Sequence, residues 1–141
     1  SPFDFVTLMI GVNDQYDGVR LEVYARNFQT LLNRAVTLAG KKPKQVIVLS
    51  VPDWSVTPFS KGRDRGQIAN QIEQFNAINL RETHHLGCDY VDVTPSSRRA
   101  AEDLSLLAED ELHPSKKMYK RWAQLVYPAF VNRLVPDDYP S

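Results

Sequence analysis

One short stretch of the sequence combines a carboxylate and an imidazole at a spacing suited to acid–base chemistry. Asp110 and His113 stand three positions apart in Asp110-Glu-Leu-His-Pro114, which is expected to form a loop. In a loop, the carboxylate can accept a hydrogen bond from one imidazole nitrogen and leave the other nitrogen free to take a proton. The same carboxylate stabilises the imidazolium that results. The pair predicts His113 as a general base and Asp110 as the residue that orients it.

A second stretch, Gly11-Val-Asn13-Asp14, follows an apolar run near the start of the chain. Glycine allows a tight turn, and the Asn13 side-chain amide is a donor of the kind that stabilises an oxyanion in a tetrahedral intermediate. A base, its orienting carboxylate and an oxyanion donor are three of the four parts of a hydrolytic serine site. The fourth part, a nucleophile, is expected on a strand-to-helix turn nearby.

The elements that must position these residues alternate between strands and helices. Three apolar runs predict strands, the first two buried on both faces: Phe5–Ile10, Gln45–Val51 and Tyr90–Val93. Apolar residues spaced three and four apart predict helices over residues 21–39, 64–86 and 115–134. This alternation predicts βαβ crossovers and a parallel sheet.

The carboxyl ends of parallel strands meet at one edge of a sheet, where ligands bind in open α/β folds. Asn13, Trp54 and Thr94 each follow a predicted strand, so they are expected to crowd that edge. His113 precedes the last helix and is expected to reach the same place. Trp54 and Phe59 could wall an acyl pocket there, or could serve packing alone.

Composition excludes several classes of protein. The 141 residues suit one domain, and 17 basic residues balance 17 acidic ones, so no global field attracts nucleic acid or an anionic membrane. No apolar run is long enough to span a bilayer. The single cysteine, Cys88, excludes an internal disulfide and is expected in the core. Localisation is not readable from these features.

The two motifs together resemble the SGNH (GDSL-type) hydrolase family. Its third block, Gly-x-Asn-Asp, is matched by Gly11-Val-Asn13-Asp14, and its fifth block, Asp-x-x-His, by Asp110-Glu-Leu-His113. The resemblance implies a flavodoxin-like, three-layer α/β/α fold with a parallel sheet. It also implies serine-dependent hydrolysis of small carboxylic esters without metal or cofactor. His113 would be the base, Asp110 its orienting residue and Asn13 part of the oxyanion hole, with Gly11, Asp14 and Trp54 on the substrate side.

The family's first and second blocks, including the Gly-Asp-Ser that carries the nucleophile, are absent from the sequence. The chain therefore resembles the C-terminal two-thirds of such an enzyme, with the nucleophilic serine and the N-terminal strands expected upstream of residue 1. The run from Phe5 would then be an exposed sheet edge that pairs with an N-terminal segment or with another chain. No serine in the sequence stands in Gly-x-Ser-x-Gly or Gly-Asp-Ser; Ser55, in the loop after the second strand, is the first internal candidate.

Structural interpretations remain open beside the catalytic one. Asn13-Asp14 could be a simple turn, and His113-Pro114 a loop before a helix. The alternative function is a non-catalytic α/β binding module that lacks the nucleophile. Arg98 and Arg99 are expected to form a solvated face, and residues 135–141 are expected to be loosely ordered.

Overall fold

The computed structural model describes residues 3–134, which form a three-stranded parallel sheet with helices on both faces. The strands β1 (Val6–Leu8), β2 (Val46–Leu49) and β3 (Asp89–Val91) lie in the order β1-β2-β3. Both strand pairs are parallel, with Val6 opposite Val46 and Ile47 opposite Asp89. The predicted parallel α/β architecture is confirmed. The expectation for residues 135–141 lies outside the described part of the chain.

Five α-helices connect and flank the strands: α1 (Val12–Tyr16), α2 (Leu21–Leu38), α3 (Arg65–Leu86), α4 (Thr94–Arg98) and α5 (Lys116–Leu134). Short 3₁₀ turns occur at residues 43–45, 54–56, 58–60, 99–101 and 104–106. Helix α3 shows why the predicted boundaries were close. The Asp64 carboxylate caps its start by accepting from the Gln67 N–H at 3.0 Å, and Gly87 ends it in the left-handed region at φ 76°.

Two cores on opposite faces of the sheet produce the three layers. On one face, helices α2 and α3 contact each other and bury a cluster that includes Phe28, Leu32 and Phe75 against Val46 and Val48 of β2. On the other face, α4 and α5 contact each other and bury a second cluster: Val93, Ala100, Leu106, Met118 and Trp122, with Leu49 of β2 against it. Side chains alternate along a strand, so the central strand β2 supplies apolar groups to both cores.

Strand β1 corrects one sequence expectation. Its run was predicted to be buried on both faces, yet Val6 and Leu8 are only half-buried and Thr7 is exposed. The physical reason is its place at the edge: among the described residues β1 pairs with β2 alone. Helix α2 contacts this strand, and the ring of Phe130 on α5 lies 4.4 Å from the ring of Phe5.

The carboxyl ends of β2 and β3 are joined by buried hydrogen bonds. The Asn76 side chain on α3 accepts from the Val51 N–H at 2.8 Å and donates to the Val51 carbonyl at 3.3 Å and to Thr94 Oγ1 at 2.9 Å. Thr94 Oγ1 in turn donates to the Val51 carbonyl at 2.7 Å and lies 2.8 Å from Ser50 Oγ. Thr94 therefore lies at the carboxyl edge of the sheet, as expected, and its hydroxyl takes part in a structural network there.

Gly11 allows the chain to turn from β1 into α1. Its φ is 127°, a conformation that L side chains rarely adopt, and it is buried against Val51 and Tyr24. A Cβ at this position would lie 2.7 Å from Val51 Cγ2 and 2.8 Å from the Tyr24 hydroxyl oxygen. The glycine of the Gly-x-Asn-Asp motif is thus required by both conformation and space.

Replacing Gly11 with alanine is expected to lower the free energy of unfolding by about 2–4 kcal/mol, because backbone strain and steric overlap add. The matched control is Gly18→Ala: Gly18 also has a positive φ, 73°, but has no atom within 4 Å of an added Cβ. The control should lose only the conformational part, about 1–2 kcal/mol. Urea unfolding curves provide the measurement, and equal losses in the two variants would contradict this account of Gly11.

Candidate active site

A closed loop before α5 holds Asp110 and His113. Residues Leu107 and Pro114 form an antiparallel bridge across its base. The Ala108 N–H donates to the His113 carbonyl at 2.8 Å, and the Ser115 N–H donates to the Leu106 carbonyl at 2.9 Å. These backbone bonds fix the ends of the loop without help from any side chain.

Within this loop the Asp110 carboxylate accepts three hydrogen bonds. Its Oδ1 receives the backbone N–H groups of Leu112 at 3.0 Å and His113 at 2.9 Å, and its Oδ2 lies 2.5 Å from His113 Nδ1. The bond from the His113 ring, followed by the two backbone bonds, lowers the pKa of Asp110 to about 2. The carboxylate is therefore ionised at neutral pH and accepts only, so Nδ1 carries the proton.

His113 Nε2 is left without a hydrogen-bond partner among residues 3–134. The ring is exposed over 71% of its side-chain surface and lines an open cavity of about 400 Å³. The described geometry thus holds one ring nitrogen and leaves the other free beside a space large enough for a small organic molecule. This is the arrangement expected of a general base.

The cavity brings together three of the predicted site residues. Asn13, Trp54 and His113 all line it, although they lie far apart in the sequence. Asp110 is not a lining residue and reaches the cavity only through the His113 ring. Gly11 and Asp14 do not line it either. Gly11 is buried beneath Tyr24 and Val51. The expectation that Gly11 and Asp14 face a substrate is therefore not met by these contacts.

Asn13 lies in the helical turn α1 rather than in a non-helical turn after the strand. Its carbonyl accepts from the Asp17 N–H at 2.8 Å, whereas its side-chain amide has no hydrogen-bond partner among the described residues. The side chain is exposed and borders the cavity. An amide donor is thus available on the same cavity as the free nitrogen of His113.

Trp54 is fixed in the cavity wall by a chain of side-chain hydrogen bonds. Its indole Nε1 donates to Gln15 Oε1 at 2.6 Å, and Gln15 Nε2 donates to Gln71 Oε1 at 2.9 Å. Phe59 lies against it with ring centroids 6.0 Å apart, and both rings line the cavity. The expectation of an aromatic wall after β2 agrees with this geometry.

Other cavity residues were missed by sequence reasoning. Tyr16 lines the cavity three positions after Asn13, a spacing that places both on one side of a helical turn. The sequence offered that clue, but no helix was predicted over this segment. Met118 and Trp122 lie on the last helix, where they are buried and also border the cavity.

A buried carboxylate at the cavity is neutralised by an arginine. Asp53, 3% exposed, pairs with Arg98 Nε at 3.0 Å, and Arg98 Nη2 donates to Glu73 Oε1. These carboxylates raise the pKa of the Arg98 guanidinium, with the hydrogen bond that Arg98 donates to Glu73 as the largest cause. Arg98 is therefore not part of the solvated face that was expected, whereas the exposed Arg99 pairs with Glu102 at 3.9 Å.

The serines of the described chain are engaged elsewhere. Ser97 lines the cavity, but its hydroxyl donates to the Thr94 carbonyl at 2.6 Å and accepts from the Asp53 N–H at 2.8 Å. Ser55, the first internal candidate for a nucleophile, is 4% exposed and does not line the cavity. Within residues 3–134, no serine hydroxyl forms a hydrogen bond with His113.

Three further findings concern metal binding, membrane spanning and the cysteine. No group of three or more His, Cys, Asp or Glu side chains in residues 3–134 could hold a metal ion. No helix in the same range is long and apolar enough to cross a membrane. Cys88 is 5% exposed, and burial, with a smaller effect of Asp89, raises the pKa of its thiol to about 11, so its expected place in the core is confirmed.

Comparison with known proteins agrees with these features. A model of the GDSL-like lipase/acylhydrolase family matches residues 1–121, and the chain belongs to this family. A search of curated proteins found no match.

Solved structures with the same fold were found at low sequence identity. LAE5, an alpha/beta hydrolase enzyme from the metagenome of Lake Arreo, Spain, is 23% identical with a TM-score of 0.62, covering 92% of this chain and 58% of that one. Axe2, an acetylxylan esterase from Geobacillus stearothermophilus, is 19% identical with a TM-score of 0.62, covering 98% and 62%. A lipase/acylhydrolase from Enterococcus faecalis is 18% identical with a TM-score of 0.67, covering 96% and 65%. The chain thus spans about three-fifths of the length of these proteins, and the likeness shows the SGNH hydrolase fold.

The hydrogen bond from His113 should be measurable through the titration of Asp110. In the His113→Ala variant the pKa of Asp110 is expected to rise from about 2 towards its ordinary value without reaching it, because the backbone donors remain. Since the folded-state pKa is lowered, the stabilisation by this carboxylate is complete above the unfolded pKa, about 3.9, and is lost as the pH falls towards 2. NMR of the side-chain carboxyl carbons provides the measurement.

Asp103 supplies an internal control for this titration. Its pKa is also lowered to about 2, but by hydrogen bonds from Lys117 and Ser105, so the His113→Ala variant should leave it unchanged. If Asp110 keeps a pKa of about 2 without the imidazole, the backbone bonds alone account for the shift.

Proposed function

We propose that this chain carries the base and the oxyanion donor of a serine-dependent hydrolase of small carboxylic esters. The observation that supports this most strongly is the shared cavity of His113 and Asn13: one ring nitrogen of His113 is bonded to an ionised Asp110, the other is free, and the Asn13 amide is unengaged. Membership of the GDSL-like lipase/acylhydrolase family agrees with this assignment.

The proposed nucleophile is a serine outside this chain, contributed by residues upstream of Ser1. Its hydroxyl attacks the ester carbonyl carbon while His113 Nε2 takes the hydroxyl proton, and Asp110 stabilises the resulting imidazolium. The Asn13 amide donates to the oxyanion of the tetrahedral intermediate. Collapse of that intermediate expels the alcohol, which takes the proton from His113.

The second half of the reaction uses the same residues. Water attacks the acyl-enzyme while His113 takes a proton from it, and the oxyanion again forms beside Asn13. Collapse releases the carboxylic acid and returns the proton to the serine oxygen. Neither half-reaction calls on a metal or a cofactor.

The cavity walls suggest how the ester is held. Trp54 and Phe59 present aromatic surface, and Leu107 and Leu112 add apolar surface close to His113, which suits an acyl chain or an aryl group. Gly11 acts indirectly, by allowing the turn that brings Asn13 to the cavity. Similar solved structures include an acetylxylan esterase and a lipase/acylhydrolase, so acylated sugars and lipid esters are the substrate classes to assay first.

The edge of β1 is the proposed attachment point for the part that carries the nucleophile. Within residues 3–134, β1 pairs on one side only, and Val6 and Leu8 remain half-buried. A further strand from an upstream segment, or from another chain, would satisfy the free backbone groups and bury these side chains.

A second candidate function is a non-catalytic α/β binding module. The observation in its favour is that Ser97, the serine on the cavity, already uses its hydroxyl in two structural hydrogen bonds. In that case the cavity would bind a small ligand without turning it over.

In a form of the protein that includes the proposed nucleophile, His113→Ala is expected to reduce hydrolysis of a nitrophenyl ester by at least about 10⁴-fold, because the proton acceptor is lost. The matched control, His84→Ala, removes an exposed histidine at the end of α3 and should leave turnover unchanged. Thermal unfolding of both variants checks that the fold is intact. Undiminished hydrolysis by the His113→Ala variant would rule out the proposed role.

A further inference from the structure

An arginine, which has no role in the proposed chemistry, forms a cluster with three aromatic rings beside the cavity. The Arg63 guanidinium carbon lies 5.2 Å from the ring centroid of Tyr16, 5.6 Å from that of Trp54 and 5.3 Å from that of Phe59. Its Nη2 also donates to the Tyr16 hydroxyl at 3.3 Å. All three rings line the cavity that holds His113, and Arg63 lies next to these rings without lining the cavity itself.

The rings hold the guanidinium in place without neutralising it. Each cation–π contact stabilises the position of the charge, and three together restrict a long side chain that otherwise moves freely in water. The side chain of Arg63 loses less conformational entropy when a ligand binds, since these contacts already restrict it. Arg63 is thus pre-organised beside the cavity.

Arg63 also lacks a carboxylate partner. No Asp or Glu oxygen in residues 3–134 lies within the 4.0 Å of an ion pair, and the bond to Tyr16 uses only one of its donors. Nearby Arg65 differs, since its guanidinium bonds Ser60 Oγ at 2.8 Å and the Thr57 carbonyl at 3.2 Å. Arg63 is exposed, so a solute can reach it.

We propose that Arg63, held by Tyr16, Trp54 and Phe59, binds a carboxylate substituent of the substrate and gives the site a preference for anionic esters. This inference rests on the proposed function and deepens it by naming a substrate class. The planar fork of a guanidinium matches the two oxygens of a carboxylate, and a positive charge next to the rings of an apolar cavity also draws anions towards it. The apolar walls then hold the remainder of the ester.

The first test measures binding and needs no turnover. Benzoate and benzamide have the same size and ring but differ in charge, and both tryptophans of the chain, Trp54 and Trp122, line the cavity and report occupancy by fluorescence. Benzoate is expected to bind about fivefold more tightly than benzamide, in the range of a partly exposed ion pair, and added salt should weaken only benzoate.

Variants assign the preference to Arg63. Arg63→Gln is expected to remove the difference between the two ligands and to leave benzamide binding unchanged. Arg26→Gln is the matched control, because Arg26 is exposed on α2 and has no ion pair among the described residues. Arg63→Lys retains the charge and should keep part of the preference, with its salt dependence. That variant also keeps the test valid if the glutamine variant does not fold.

Several results would overturn the proposal: equal affinities in the unchanged chain, a preference that survives Arg63→Gln, or a preference that ignores salt. Loss of benzamide binding in Arg63→Gln would assign the residue to packing of the rings instead. Each of these outcomes is independent of ester hydrolysis, so they are distinct from a failure of the proposed function.

A turnover measurement then separates the substrate from the acid product. In an active form that includes the proposed nucleophile, kcat/KM for 4-acetoxybenzoate should exceed that for 4-acetoxybenzamide about fivefold, and Arg63→Gln should equalise the two. Tighter benzoate binding without this preference in kcat/KM would assign Arg63 to the released acid and overturn the proposal.

Discussion

The site depends on the hydrogen bonds that end the central strand. Strand β2 stops at Leu49, and the backbone of Val51 would be left buried without a strand partner. The Asn76 side chain supplies both a donor and an acceptor to that residue, and Thr94 joins the same network from the end of β3. An unpaired buried backbone group costs about 1–3 kcal/mol, so these side chains are strongly constrained. They fix the direction in which the chain leaves the sheet towards Trp54.

The pair of Asp110 and His113 is positioned by a separate, local constraint. The loop of Asp110 and His113 is closed by its own backbone bonds, and Asp110 receives all of its hydrogen bonds from within that loop. Asn13 and Trp54 instead reach the cavity through the sheet, because parallel strands end at one edge. At the cavity, His113, whose position is set by its own loop, therefore lies beside Asn13 and Trp54, whose positions are set by the order of the strands.

Sequence reasoning predicted much of the geometry around this cavity, for reasons that differ by residue. The pairing of Asp110 with His113 follows from a spacing of three, and the convergence of Asn13 and Trp54 follows from alternating strands and helices. Thr94 lies at the predicted edge as well, but its hydrogen bonds with Ser50 and Asn76 were not predicted, because tertiary contacts set them. Burial of β1 was overestimated, since it depends on what pairs with the edge. Arg63 was missed because its three rings come from α1 and from two separate turns, a juxtaposition that no local pattern contains.

The central claim is that the base and the oxyanion donor belong to a serine hydrolase whose nucleophile lies outside this chain. Labelling with a fluorophosphonate, followed by mass-spectrometric mapping of the modified residue, tests it most directly. We expect labelling of a longer form at a serine upstream of Ser1, and no labelling of residues 1–141 alone. Modification of a serine within the chain, such as Ser97 or Ser55, would contradict it. The absence of labelling in both forms would instead favour a non-catalytic module.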